Sequence, residues 1–262
     1  MALLEVCGLS KNFGGLAAVS ELSFDVEQGE ILGIIGPNGA GKSTVFNMIC
    51  GTFKPTSGTL TFQGKKITGL PPHKIAGRGI ARVFQGNVLF PTSTVLDNVL
   101  MGMHLHTQLG PISFLLGGPI ARRREKAMTA RAMEILELVG LTEQAHEVAS
   151  SQPHGNQRHI CLGIALACEP RLLLLDEPVT GMNAEEVATM LDTIRMLRKE
   201  KGMTVIVVEH NMKAVMGLCD RIVTISYGKK ICEGSPDFTC NDPAVIEAYL
   251  GDADLGADDH AT

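Results

Sequence analysis

The chain has 262 residues, which at the usual domain size of about 150 residues makes about 1.7 domains, one large or two unequal. With 45% hydrophobic, 19% charged and 4% aromatic residues, no Trp and 29 Gly, the composition excludes a largely disordered or fibrous chain and suits a Gly-punctuated α/β protein. The net charge of −5, from 23 Lys+Arg and 28 Asp+Glu, argues against a broad basic face for nucleic acid and leaves room for a local pocket that holds an anionic small molecule. The cysteines, 7 in number, form no CxxC pair. Neither a zinc ribbon nor a disulfide framework is therefore expected, and a reduced compartment fits. No stretch offers the roughly 20 apolar residues of a membrane-spanning helix, and the alternating start is unlike a secretion signal.

In chain order, residues 3–30 read as alternating strands folded back at Gly14-Gly15, an antiparallel ribbon closed by Gln28-Gly29. Residues 31–36 form a continuous apolar run, the pattern of a strand buried on both faces of a parallel sheet. A Gly-rich turn leads from it into a helix that ends near Gly51. A hairpin is predicted over 57–68 and another strand over 80–85. From about Pro91 to Gly163 the spacing becomes helical, with Met128, Ala132, Ile135, Leu136 and Val139 on one face, so a helical subdomain is inserted here. Two more buried strands, ending at Asp176 and near His210, flank an amphipathic helix, the βαβ rhythm of a parallel sheet. A hairpin over 221–234 follows, and the acidic tail 251–262 is expected to be frayed.

Gly36-Pro37-Asn38-Gly39-Ala40-Gly41-Lys42-Ser43-Thr44 fits the pattern G-x-x-x-x-G-K-[ST] and lies between a predicted strand and a predicted helix, the context in which that pattern cradles phosphate. Glycines let successive N–H groups turn inward and the helix N-terminus adds positive potential. Lys42 then reaches the β and γ phosphates, and the Ser43 hydroxyl suits Mg²⁺. A Gly-rich turn with a solvated lysine is the plain alternative, against which both flanks argue. Asp176-Glu177 ends a buried strand, at the carboxyl edge where parallel sheets bind ligands. Asp176 suits Mg²⁺ held through water, and Glu177 suits the orientation or deprotonation of an attacking water. The same pair would also suit the first turn of a helix. His210 and Gln85 end two further strands; each alone would be an ordinary packed or solvated residue.

Phe13, the 36–44 loop, Gln85, the turn holding Gly155, the Asp176-Glu177 strand end and His210 occur in the order and spacing of ATP-binding-cassette (ABC) ATPases, which the sequence resembles over residues 3–250. Residues 67–85, 104–124 and 245–251 look like those of the ATP-binding subunits of branched-chain amino acid importers. The resemblance implies an α/β fold, a P-loop NTPase ABC ATPase core with an N-terminal antiparallel β subdomain and an inserted helical subdomain. The domain would span 1–250, the helical subdomain about 91–163, and the acidic tail 251–262 would be disordered.

The same resemblance implies ATP and Mg²⁺ as cofactors. Gly36 to Thr44 would hold the nucleotide, Phe13 would stack on adenine, and Ser43, Gln85 and Asp176 would surround the metal. Glu177, His210 and Gln85 would be catalytic, and Gly155 and Asn156 would meet the γ phosphate of ATP held by the other protomer. The implied partners are a second copy or a paralogous ATP-binding subunit, two integral-membrane permease subunits and an extracytoplasmic solute-binding protein, with no nucleic acid. The implied location is peripheral, on the cytoplasmic face of the inner membrane. The implied activity is ATP hydrolysis that drives import of branched-chain or other hydrophobic amino acids or related small polar or aromatic solutes. A soluble or regulatory ABC-type ATPase not coupled to import is the other reading.

The sequence departs from the family at the signature turn, usually Leu-Ser-Gly-Gly-Gln and here Gln152-Pro153-His154-Gly155-Asn156. The Ser hydroxyl is missing, and backbone donors with the helix dipole are expected to replace it in part. His154 is read as standing in for an aromatic ring. Asn183 stands where the family commonly has Asp and keeps hydrogen bonding without charge. His104 and His106 are read as a polar loop and not a zinc site, and Arg122-Arg123-Arg124 as a solvated helix start.

Overall fold

The computed structural model describes residues 2–84, 86, 88–103 and 119–255. β1 (Ala2–Phe13) and β2 (Leu16–Glu27) pair antiparallel about Gly14-Gly15; β1 also pairs with β4 (Ser57–Phe62), and β4 with β5 (Lys65–Lys66). The second sheet is built from β3 (Ile31–Ile35), β6 (Ile80–Val83), β7 (Leu172–Asp176), β8 (Thr204–Val208), β9 (Arg221–Ser226) and β10 (Lys229–Gly234). Its order is β10-β9-β3-β8-β7-β6, parallel throughout except for the β9–β10 hairpin. The carboxyl ends of β3, β8, β7 and β6 therefore lie side by side.

The uninterrupted apolar runs have a simple cause, because this sheet is covered on both faces. Ile31, Ile35, Leu173, Leu175, Val205 and Val207 enter one core, while their neighbours Leu32, Ile34, Leu172, Leu174, Ile206 and Val208 enter the other. Each such side chain contributes about 1.5 to 3 kcal/mol on full burial. α1 (Lys42–Ile49) fills the space between the two sheets through Val45, Phe46, Met48 and Ile49. α2 (Pro72–Ala76) adds Ile75 to the same core.

The opposite face carries α3 (Val95–Gly102), α4 (Pro119–Leu138), α5 (His154–Ala167), α6 (Ala184–Lys201) and α7 (Met212–Leu218). Ala132, Ile135, Leu136 and Val139 are buried there, with Met128 packed at the margin, as their spacing predicts. α3 starts at a capping box in which Thr94 and Asp97 satisfy each other's backbone N–H groups. Arg122, Arg123 and Arg124 are exposed.

After β10, α8 (Pro236–Cys240) leads to α9 (Pro243–Leu255). Helical backbone continues through Leu255, past the residue 250/251 boundary at which the sequence places a disordered tail. The inward residues Val245 and Tyr249 dock this helix, and residues 251–255 extend it. Residues 256–262, like Gln85, His104 and His106, lie outside the described residues.

Candidate functional site

The 36–44 loop leaves β3 and enters α1 at Gly41, whose φ of 102° is left-handed. Gly36 and Gly41 are required by contact as well as conformation: a Cβ at Gly36 would fall 2.0 Å from the Ile225 carbonyl oxygen, and one at Gly41 2.6 Å from that of Ala18. The loop is thereby pressed between β9 and β2. Lys42 is buried and its Nζ donates to the carbonyls of Gly36 at 2.6 Å and Pro37 at 2.7 Å, so the cation lies under the loop. Ser43 is exposed in the first turn of α1.

At the end of β7, Asp176 is buried and its Oδ2 accepts from Arg82 Nη2 at 2.5 Å. Both side chains are 8% exposed. Arg82, on neighbouring β6, also donates to Asn47 Oδ1 at 2.7 Å and lies over the rings of Phe46 and Phe84. Glu177 follows with φ of 50°, a conformation rare for a residue with a side chain and concentrated at functional sites. Its N–H is held by the Val208 carbonyl at 2.9 Å and its Oε2 by the Thr180 hydroxyl at 3.2 Å. Oε1 faces Nδ1 of His210 at 3.7 Å.

Hard oxygen donors are a suitable set for Mg²⁺. Asp176 and Ser43 supply a carboxylate and a hydroxyl and so fit that ion by chemistry, with one carboxylate oxygen of Asp176 already engaged by Arg82.

Phe13, at the tip of the β1–β2 ribbon, keeps 43% exposure while Phe53 meets its ring edge-on at 5.3 Å and Lys11 Nζ sits 5.0 Å from its centroid. Phe53 and Lys11 thus hold the ring, which keeps part of its surface exposed. The signature turn begins α5 at Pro153, which supplies no side-chain cap. Gln152 is buried and its amide oxygen accepts from Asn156 Nδ2 at 3.2 Å, so the Asn156 side chain is engaged within the turn. His154 lies against Gly181, where a Cβ would stand 3.4 Å from the imidazole Cε1. Asn183 caps α6 through the N–H groups of Glu185 and Glu186, a role that needs its oxygen and no charge.

Three polar residues escaped the sequence reading. Arg82 is a single cation within an apolar strand. Arg158 is a buried cation on α5 whose Nη1 donates to the Phe84 carbonyl at 3.3 Å, joining the helical subdomain to the end of β6. Glu209 is a buried acid directly before His210, and burial pushes its pKa upward against the opposing hydrogen bonds from backbone N–H groups. A polar residue closing an otherwise apolar strand was the available signal for Glu209. Below the Phe84 turn, a cavity of about 260 Å³ is lined chiefly by apolar groups and thiols, among them Val83, Val88, Cys161 and Cys168.

Comparison with known proteins gives this arrangement its class. The family model for ABC transporters matches residues 19–180, and that for branched-chain amino acid ATP-binding cassette transporters matches residues 229–254. The chain belongs to the ABC transporter family, as one of its ATP-hydrolysing cassettes. The high-affinity branched-chain amino acid transport ATP-binding protein LivG of Salmonella typhimurium is 41% identical over 251 residues, 96% of this chain and 98% of its own. BraF of Pseudomonas aeruginosa, of the same description, gives the same values. The lipopolysaccharide export system ATP-binding protein LptB of Haemophilus influenzae is 31% identical over 96% of this chain and 98% of its own. A solved ATP-binding cassette of an ABC transporter in its ADP conformation superposes with a TM-score of 0.84 at 30% identity, covering 96% of this chain and 99% of that one.

Proposed function

We propose that this cassette powers import of branched-chain or other hydrophobic amino acids, or related small polar or aromatic solutes. The observation that carries the reading is the match of residues 229–254, β10 through α9, to the branched-chain cassette model. LivG of Salmonella typhimurium and BraF of Pseudomonas aeruginosa are 41% identical over nearly the whole chain, against 31% for the lipopolysaccharide export protein. Among the described residues no helix is long and apolar enough to cross a membrane. The path for solute then belongs to two permease subunits, fed by an extracytoplasmic binding protein, with the cassette peripheral on the cytoplasmic face. The apolar cavity below Phe84 supports docking of a permease helix beside that residue.

In this reading the backbone N–H groups of the 36–44 loop and Lys42 hold the phosphates, and Phe13 stacks on adenine. Ser43 and Asp176, with Gln85, hold Mg²⁺, which when bound neutralises phosphate charge. Glu177 orients the attacking water and takes its proton, while His210 fixes the Glu177 carboxylate and meets the γ phosphate. Gly155 and Asn156, at the uncapped start of α5, serve the nucleotide of the other protomer in a head-to-head dimer with two composite sites, formed with either a second copy or a paralogous subunit.

Deletion of the gene from its host, followed by uptake of radiolabelled leucine, tests the assignment. Uptake is expected to fall to background and to return with the wild-type gene but not with Glu177→Gln. Unchanged uptake of leucine, isoleucine and valine in the deletion strain would remove the branched-chain assignment.

A further inference from the structure

Glu209 joins the two turns that carry Glu177 and His210. It is 2% exposed at the end of β8. Its Oε1 accepts the N–H of Val179 at 3.0 Å, and its Oε2 accepts those of His210 at 3.2 Å and Asn211 at 3.5 Å. Val179 lies two residues beyond Glu177, whose own N–H is bonded to β8. One side chain thus spans the β7 turn and the β8 turn.

The donor set explains why the residue is an acid. Three backbone N–H groups from two turns converge on it, and a carboxylate presents two acceptor oxygens where an amide presents one. A glutamine would point its NH₂ at the N–H of Val179 or at those of His210 and Asn211. No Lys or Arg side chain pairs with Glu209 among the described residues, so the group is buried at a cost that a turn-filling residue need not incur. The other titratable groups around it are His210 on its own turn and Cys219 at the end of α7.

We infer that Glu209 is a positioning residue for ATP hydrolysis, which sets the separation of Glu177 and His210 by clamping the backbone of both turns. This rests on the roles assigned to Glu177 and His210 above. A misplacement near 1 Å in such a constellation costs up to about 100-fold in rate. The 36–44 loop is held by β9, β2 and Lys42, none of which Glu209 touches, so ATP binding should not depend on it.

The test uses the purified full chain with Glu209→Gln, with Glu209→Asp as the variant that keeps both oxygens. Steady-state kcat and KM, binding of a fluorescent ATP analogue, and the side-chain NMR signal of His210 in protein labelled at the histidine ring are measured, the signal being assigned from His210→Ala. Glu209→Gln is expected to lower kcat by about 10-fold or more, leave KM within about twofold and move the His210 signal. Glu209→Asp should fall between it and the wild type. An unchanged kcat overturns the inference. So does a lower kcat with an unmoved His210 signal, or a lower kcat matched by an equal loss of ATP binding. If Glu209→Gln fails to fold, the same criteria apply to Glu209→Asp. If His210→Ala and Glu177→Gln themselves retain wild-type kcat, the assigned roles fail, and the His210 signal still reports whether Glu209 positions that ring.

Discussion

Nδ1 of His210 stands 3.7 Å from Oε1 of Glu177, although the two residues end different strands of the parallel sheet. The carboxylate is also held by Thr180 and is carried on a left-handed backbone at the edge of β7. Glu177→Gln keeps the size of this side chain and its bond to Thr180 while removing the base. Steady-state ATP hydrolysis should fall by about 100-fold or more, with ATP binding retained. Parallel measurements of phosphate release and nucleotide affinity check this; hydrolysis at the wild-type rate contradicts the role given to Glu177.

The Arg82–Asp176 pair makes a stability prediction. With both side chains 8% exposed, removal of one partner leaves an unpaired buried charge. Arg82→Met should destabilise the fold by about 3 to 5 kcal/mol, read from urea unfolding. Adding Asp176→Asn removes the stranded charge, so the double variant should recover part of that loss. Equal stability of Arg82→Met and wild type would show that the carboxylate finds other compensation.

Two glycines should respond differently to alanine. At Gly36 the new Cβ meets the Ile225 backbone at 2.0 Å in a loop with φ of 152°, and backbone has no room to yield. At Gly155 the nearest atom is Glu186 Oε1 at 2.6 Å, the end of a flexible side chain that also accepts from the Asn183 N–H. Gly36→Ala should lose ATP binding, whereas Gly155→Ala should lose about 1 kcal/mol or less through the disturbed cap of α6. Isothermal titration with ATP and thermal melts separate the two, and equal losses would contradict the contact argument.

His159 supplies a pH dependence. It is buried in α5 with Nδ1 facing the Gly155 carbonyl at 3.0 Å and Nε2 without a partner among the described residues. Burial holds its pKa below the ordinary histidine value, against the opposing effects of the Gly155 carbonyl and Glu186. The unfolded chain therefore binds the proton first as pH falls through about 6.5, and the folded state loses stability from there downward. Between pH 7.5 and 5.5, Tm should drop more for the wild type than for His159→Gln. Identical drops would assign the acid sensitivity to other groups.

The Asn183 position shows how far local pattern reached. Its replacement of a charged residue was visible as hydrogen bonding without charge, and the side chain caps α6 in that way. The helical face through Ala132, Ile135, Leu136 and Val139 was equally legible, because burial of a helix repeats with the helix period. His154 was read as a ring at a turn; that it rests on Gly181, well away in the chain, was not. The acidic composition of 251–262 suggests a tail, and the helix that runs into its first residues is anchored upstream by Val245 and Tyr249, which composition does not show.

The sequence by itself determined the phosphate-binding loop, the apolar strands and the polar residues that end them, since each follows from neighbours a few positions apart. Only the tertiary structure decided that Arg82 neutralises Asp176, that Glu209 spans two turns, and that Glu177 faces His210. The reason is that β6, β7 and β8 pair side by side although long stretches of chain separate them, and contacts between their ends leave no periodic trace along the chain.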